Sequence, residues 1–204
     1  MLNRLLISFF LCPLCSFGQS FLFEHYSQET GLSQGTGYAI AQHDDFRWFG
    51  TQEGLNRFDG YGFKIFRAEG KNTLNSSFVQ ALCPDSKGRF WIGTGGGVNL
   101  YNKQTETFER FSTIYKAKHL VDSVSIKKIF EDSKHNIWIM TEEKGLFCFN
   151  LDSRKMDSYL LNDKTLFDFC FTPNGTLWVS SYNEIYYFDS PKKQIGRASC
   201  RERV

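Results

Sequence analysis

Short runs in which apolar residues alternate with polar or small ones recur along this chain, separated by clusters of Asp, Asn, Gly and Ser. That period of two is the signature of half-buried β-strands. The clearest set lies between Asp85 and Asn102. An Asp-x-x-Gly turn leads into a strand headed by Trp91. A glycine at Gly97 then turns the chain into Val98–Tyr101, and glycine suits such a turn because it takes positive φ without a Cβ clash. The pattern predicts inner strands near Gly37–Gln42, Phe78–Cys83, Ile126–Glu131 and Leu166–Thr172, each followed by a strand headed by tryptophan. Third strands are expected at Leu55–Phe58, Val98–Tyr101, Leu146–Phe149 and Ile185–Phe188. Fourth strands are expected at Phe63–Phe66, Phe108–Phe111 and Met156–Tyr159.

The set is a repeat. Trp48, Trp91, Trp138 and Trp178 are the four tryptophans of the chain, spaced by 43, 47 and 40 residues, and each occupies the same place in its set. Gly54, Gly97 and Gly145 recur at the turn into the third strand. A period of about 40 to 50 residues built only from strand patterns reads as propeller blades. The expected fold is therefore all-β: about four four-stranded blades of an incomplete β-propeller. Phe23-Glu-His-Tyr26 repeats the fourth-strand pattern ahead of any inner strand. Such a strand belongs to the last blade of a ring closed by its chain ends. The alternative to an incomplete ring is a small one closed by pairing Phe23–Tyr26 with Ile185–Phe188. Blade one departs from the pattern twice: its turn before Trp48 is one residue short, and Gly37 stands where Val79, Ile126 and Leu166 stand elsewhere. The latter should leave its inner strand less well packed.

The chain divides into three parts. Residues 1–18 read as an export signal, with Arg4 at the start, the apolar run Leu5–Leu11 and small residues near Gly18. The apolar run is too short to span a bilayer. Residues 19–194 form the partial propeller. Residues 195–204 carry three Arg and one Glu, and show neither alternation nor likeness to the repeat. They resemble a non-native read-through tail, which leaves the fourth blade without a fourth strand. With the tail's +2 set aside, the remaining net charge is zero. That argues against a nucleic-acid or anionic-membrane partner. Aromatic residues make up 17% of the chain, which favours strands.

Candidate chemistry is sparse. Cys83 and Cys170 sit at equivalent places in non-adjacent blades, too far apart to bridge, and with Cys148 they read as small buried thiols. His25, His43, His119 and His135 are scattered over turns and outer strands, with no metal-ligand or catalytic spacing. Gly93-Thr-Gly-Gly-Gly97 lacks the Lys and the following helix of a phosphate loop and reads as a turn. Asp44, Asp45, Asp85 and Asp132 fall in turns. Asp85 and Asp132 share one repeat position, so they read as turn-formers rather than a glycosidase pair. Tyr38, Phe46, Tyr61, Tyr182 and Tyr186 are candidates for a sugar-stacking surface, most of them expected in the core. No catalytic residue, metal site or cofactor is expected.

Phe23-Glu-His-Tyr-Ser-Gln-Glu-Thr-Gly31-Leu-Ser33, Ala39-Ile-Ala-Gln42, Trp48-Phe-Gly-Thr51 and Gly54-Leu-Asn-Arg-Phe-Asp-Gly60 together resemble the opening of the two-component regulator propeller family. The resemblance covers nearly all of residues 21–190. It implies the extracytoplasmic, periplasmic part of an inner-membrane hybrid sensor histidine kinase. Such a protein has two seven-bladed propellers, an immunoglobulin-like domain, a membrane helix and kinase modules, and is homodimeric at full length. It further implies an oligosaccharide ligand. The competing expectation is a free-standing secreted propeller, either a glycan-active enzyme or a protein-binding scaffold. An enzyme would show non-repeating acids, His or Arg converging on one loop face.

Overall fold

The computed structural model describes residues 23–115, 121–159, 165–189 and 194–197. The expected export signal, His119 and residues 198–204 lie outside them. The described residues form four antiparallel four-stranded sheets, each a simple meander from inner to outer edge. Blade one comprises β1 (Gly37–His43), β2 (Phe46–Thr51), β3 (Gly54–Phe58) and β4 (Phe63–Phe66). Blade two comprises β5 (Val79–Pro84), β6 (Phe90–Thr94), β7 (Gly97–Asn102) and β8 (Thr107–Arg110), followed by a helical turn, α1 (Phe111–Tyr115). Blade three comprises β9 (Ile126–Glu131), β10 (Asn136–Thr141), β11 (Leu146–Asn150) and β12 (Lys155–Tyr159). Blade four comprises β13 (Leu166–Phe171), β14 (Leu177–Ser181), β15 (Ile185–Asp189) and β16 (Gln194–Arg197).

Register makes the repeat physical. Each tryptophan stands between an inner-strand and a third-strand partner: Ala41 and Arg57 for Trp48, Cys83 and Leu100 for Trp91. The partners are Phe130 and Cys148 for Trp138, and Cys170 and Tyr187 for Trp178. The ring packs on an aromatic residue at the end of the fourth strand or directly after it. Trp48 lies 5.8 Å from Phe66, Trp91 6.0 Å from Phe111 and Trp138 5.3 Å from Tyr159, between ring centroids. Three hydrophobic clusters result, and each mixes side chains of two successive blades. The core therefore lies between sheets. Each fully buried Ile, Leu or Phe within it contributes on the order of 1.5–3 kcal/mol.

Close approach of the sheets depends on small residues. A Cβ on Gly93 would stand 2.7 Å from Ile126 Cγ2 and 2.9 Å from Ala81 Cβ, and one on Gly50 2.8 Å from Val79. Gly97, at φ +122°, opens β7 in a conformation that side chains avoid. Gly37 pairs with Thr51 just as Val79 pairs with Thr94, and β1 is largely exposed where β5 is largely buried.

Three expectations are corrected. Phe23–Tyr26 is not a strand; Tyr26 instead packs its ring edge-on against Phe58 and Phe63. A lone segment gains no ladder unless a free edge is within reach. The small ring is excluded as well, because β15 is flanked by β14 on one side and β16 on the other. The fourth blade does have a fourth strand, with Gln194–Arg197 pairing along β15 despite lacking alternation. An unpaired strand edge supplies backbone donors and acceptors whatever the side chains are. A smaller difference is that Phe111 belongs to α1 rather than to β8.

Candidate functional site

The two ends of the blades differ in what they can do. At one end lie the turns between first and second strands and between third and fourth strands. There the repeated aspartate is a hub. Asp85 accepts from the Lys87 and Arg89 backbone N–H (3.0 and 2.9 Å), from Arg89 Nε (2.6 Å) and from Trp91 Nε1 (2.8 Å). Its carboxylate is fully buried. Asp132 accepts from the Lys134 and Asn136 backbone N–H, from Asn136 Nδ2 and from Trp138 Nε1. Both acids are saturated by the turn and by the tryptophan that defines it. Asp44 and Asp45 are exposed in the short turn of blade one, where Asp44 pairs with Lys103 at 3.0 Å.

At the same end Ser86, His135 and Glu131 meet, a grouping not apparent in the sequence. Ser86 Oγ lies 2.7 Å from Glu131 Oε1 and 2.9 Å from His135 Nδ1, and His135 Nδ1 lies 3.0 Å from Glu131 Oε1. A hydrolytic relay needs one imidazole nitrogen on the serine and the other on the acid. Here both partners share Nδ1, and the serine hydroxyl donates to the carboxylate. The cluster ties blade two to blade three and has no nucleophile geometry. Of the other histidines, His25 is exposed. His43, expected in a turn or outer strand, instead ends the inner strand β1 and is buried, stacked 4.7 Å from Phe90. Burial lowers its pKa. Cys83 and Cys148 are buried and free, their thiols pushed up to about 11 and about 12 by burial. Cys170, expected to be buried, is exposed, because it lies on the side of blade four that no described blade covers.

The opposite end holds the loops that enter each blade and the turns between second and third strands. All four inner strands carry the same β-bulge close to their start. Tyr38, Gln80, Lys127 and Phe167 are each skipped by the ladder. A bulge re-aims a side chain out of the pleat, and bulges gather near functional sites. The bulge position repeats, yet the residue on it differs in every blade.

These side chains meet neighbours at the same end. Tyr38 packs edge-on to Phe78 at 4.9 Å, and Phe167 lies 6.5 Å from Tyr182. Between those aromatic pairs is a polar group. Gln80 Nε2 donates to Ser125 Oγ at 2.7 Å, Lys127 Nζ donates to Gln80 Oε1 at 3.2 Å, and Lys127 pairs with Glu142 at 3.0 Å. Lys127, helped by Ser125, holds the Glu142 carboxyl below the ordinary glutamate range. Tyr38, Phe167 and Tyr182 are 47%, 60% and 73% exposed. The entering loops are pinned by asparagines of the third strands. Asn56 Oδ1 accepts from Ser33 N at 2.8 Å and Asn99 Oδ1 from Asn75 N at 3.1 Å.

Of the five aromatic candidates, the structure brings Tyr38 and Tyr182 to this face. Phe46 lies beneath the Arg57 guanidinium, Tyr186 is core, and Tyr61 is fully exposed on a turn at the other end. Gln80, Lys127, Ser125, Glu142, Phe78 and Phe167 were missed. The available signal was a changing residue at a fixed repeat position, one step after Gly37, Val79, Ile126 and Leu166. The glycine stretch ending at Gly97 is a turn of this face, where Gly95 donates to the Phe78 carbonyl. Among the described residues no group of His, Cys, Asp or Glu suits a metal ion, and no helix is long and apolar enough to cross a membrane.

Residues 73–96, which hold the entering loop, β5, β6 and the turn after them, match the two component regulator propeller family. The blade is a two component regulator propeller repeat. The chain is 30% identical to Histidine kinase P4 of Formosa agariphila, over 76% of this chain and 18% of that protein. It also resembles the extracellular domain of a hybrid two component system of B. thetaiotaomicron, with TM-score 0.67 and 25% identity over 80% of this chain and 23% of the other. A streptogramin B lyase superposes with TM-score 0.61 at 15% identity, over 85% of this chain and 57% of the lyase, and shares the propeller fold. The chain thus spans under a third of the histidine kinase and of the two component system domain it is similar to.

Proposed function

We propose that this regulator propeller is the extracytoplasmic, ligand-binding part of a two-component sensor kinase, and that its ligand is an oligosaccharide. The observation that carries the reading is the bulge face. Aromatic rings at its flanks offer apolar faces to sugar rings, and the Gln80–Ser125–Lys127–Glu142 group offers donors and acceptors to hydroxyls. Similarity to extracellular domains of two component systems supports the extracytoplasmic placement. The rest of the parent protein, including a membrane anchor, kinase modules and homodimer contacts, belongs to this proposal. Signalling follows if the ligand binds one arrangement of the sensor better than another. The enzyme reading loses ground because the acids that repeat are consumed by turns.

The test is a glycan array probed with the chain, followed by calorimetric titration of the hits. Tyr38→Ala and Lys127→Ala are each expected to weaken binding about tenfold, which corresponds to about 1.4 kcal/mol. Binding that neither substitution alters would remove the bulge face from the site, and absence of any glycan binding would remove the oligosaccharide.

A further inference from the structure

Two of the three joints between successive blades are built alike, and the third departs from their plan. At the first, the Arg57 guanidinium lies 4.3 Å from the centroid of Phe46 and 5.8 Å from that of Trp48, and it donates to Tyr101 Oη at 3.3 Å. At the second, Tyr115 stacks parallel to Trp91 at 5.9 Å, meets Phe149 edge-on at 4.8 Å, and is capped by Arg89. Each joint thus receives a planar group from the chain itself.

Among the described residues, the third joint receives none from the corresponding positions. Cys148 stands where Arg57 and Leu100 stand, and Asn136 where Phe46 and Arg89 stand. The result is a cleft of about 370 Å³. The rings of Trp138, Tyr159, Phe171 and Phe188 line one part of it, and polar residues, Lys155 and Asp157 among them, line the rest. Burial among these rings pushes the Tyr159 hydroxyl up to about 12.

We propose that this cleft is a second ligand site, separate from the bulge face, and that it takes a small aromatic molecule bearing a polar substituent. The ring would occupy the place that Tyr115 fills one joint earlier. Aromatic walls favour an edge-on or offset ring, and the charged rim takes the substituent.

The probe is p-cresol, the tyrosine side chain as a free molecule, titrated into the full chain and followed by saturation-transfer NMR. Saturable binding is expected. Cys148→Phe, which puts a ring of its own into the cleft, should weaken binding at least tenfold; Cys148→Ala should leave it intact. Asn136→Phe copies Phe46 and fills the cleft by another route, so the test holds if the Cys148→Phe variant does not fold. Loss in the filled variants with retention in Cys148→Ala supports the site. No saturation at about 10 mM p-cresol, or equal binding in the filled variants, overturns it. Tighter binding of methyl glucoside than of p-cresol overturns the aromatic class.

Discussion

Asp85→Asn isolates the hub that organises each blade. The substitution keeps size and leaves one oxygen to accept from the Lys87 and Arg89 backbone. It places an amide N–H₂ where Oδ2 receives Trp91 Nε1 at 2.8 Å and Arg89 Nε at 2.6 Å. Two donors then face a donor. Trp91 is fully buried, so its indole N–H is stranded at about 1–3 kcal/mol. Arg89 is 29% exposed and recovers water, so its lost ion pair adds only about 1 kcal/mol. The sum is about 2–4 kcal/mol, equivalent to about 5–15 °C in Tm for a domain of this size. Asp132→Asn should cost less, because its fourth donor is the neutral Asn136 amide, which can turn over to present its oxygen. Asp45→Asn, on an exposed turn, should stay within about 0.5 kcal/mol. Urea unfolding followed by circular dichroism ranks the three. A cost below about 1 kcal/mol for Asp85→Asn, or parity with Asp45→Asn, would refute the reasoning.

Gly93→Ala should destabilise by about 1–3 kcal/mol, since the new methyl meets Ile126 and Ala81 inside van der Waals distance; thermal melts read this directly, and an unchanged melt defeats it. Iodoacetamide at pH 8 should modify Cys170 well before Cys83 or Cys148, which are buried and remain thiols at that pH; peptide mapping by mass spectrometry reports the order, and comparable labelling of Cys83 contradicts it. Burial sets His43 below its ordinary value, so the folded state resists a proton that the unfolded chain accepts near pH 6.5. Its contribution is therefore complete above about pH 6.5 and is lost as pH falls through the folded value. His43→Gln should flatten stability between pH 6.5 and 5, and an unaltered slope in urea titrations argues against the assignment.

Much of the fold was legible because it is periodic. Tryptophan, turn aspartate and turn glycine recur at fixed offsets, and alternation marks strands packed against a neighbouring blade. Phe23–Tyr26 misled because its pattern copies Phe63–Phe66, whereas a strand also requires an edge. Gln194–Arg197 misled in the opposite sense, because backbone pairing does not need alternation. Counting on from the pairing of Tyr186 with Arg197, Ala198 stands in sequence where Phe66, Phe111 and Tyr159 supply the aromatic partner of each tryptophan. The candidate site was half legible. Tyr38 and Tyr182 were visible as aromatic candidates, but Gln80 and Lys127 read as ordinary strand residues, since a bulge leaves the spacing between turn and tryptophan unchanged. The third joint was illegible for a related reason: a cleft is the absence of a side chain, and Cys148 looks like core until Arg57 and Leu100 are laid over it.

The bulges separate two kinds of information in one repeat. A residue that takes part in the ladder cannot change freely, because its neighbours on both sheets are fitted to it. A residue that the ladder skips is released from that bookkeeping. Each blade therefore carries one codon that can be rewritten with little effect on the scaffold, and the surface reads those codons side by side. Recombining blades, or altering four positions, should give this face a different binding chemistry while its architecture stays the same.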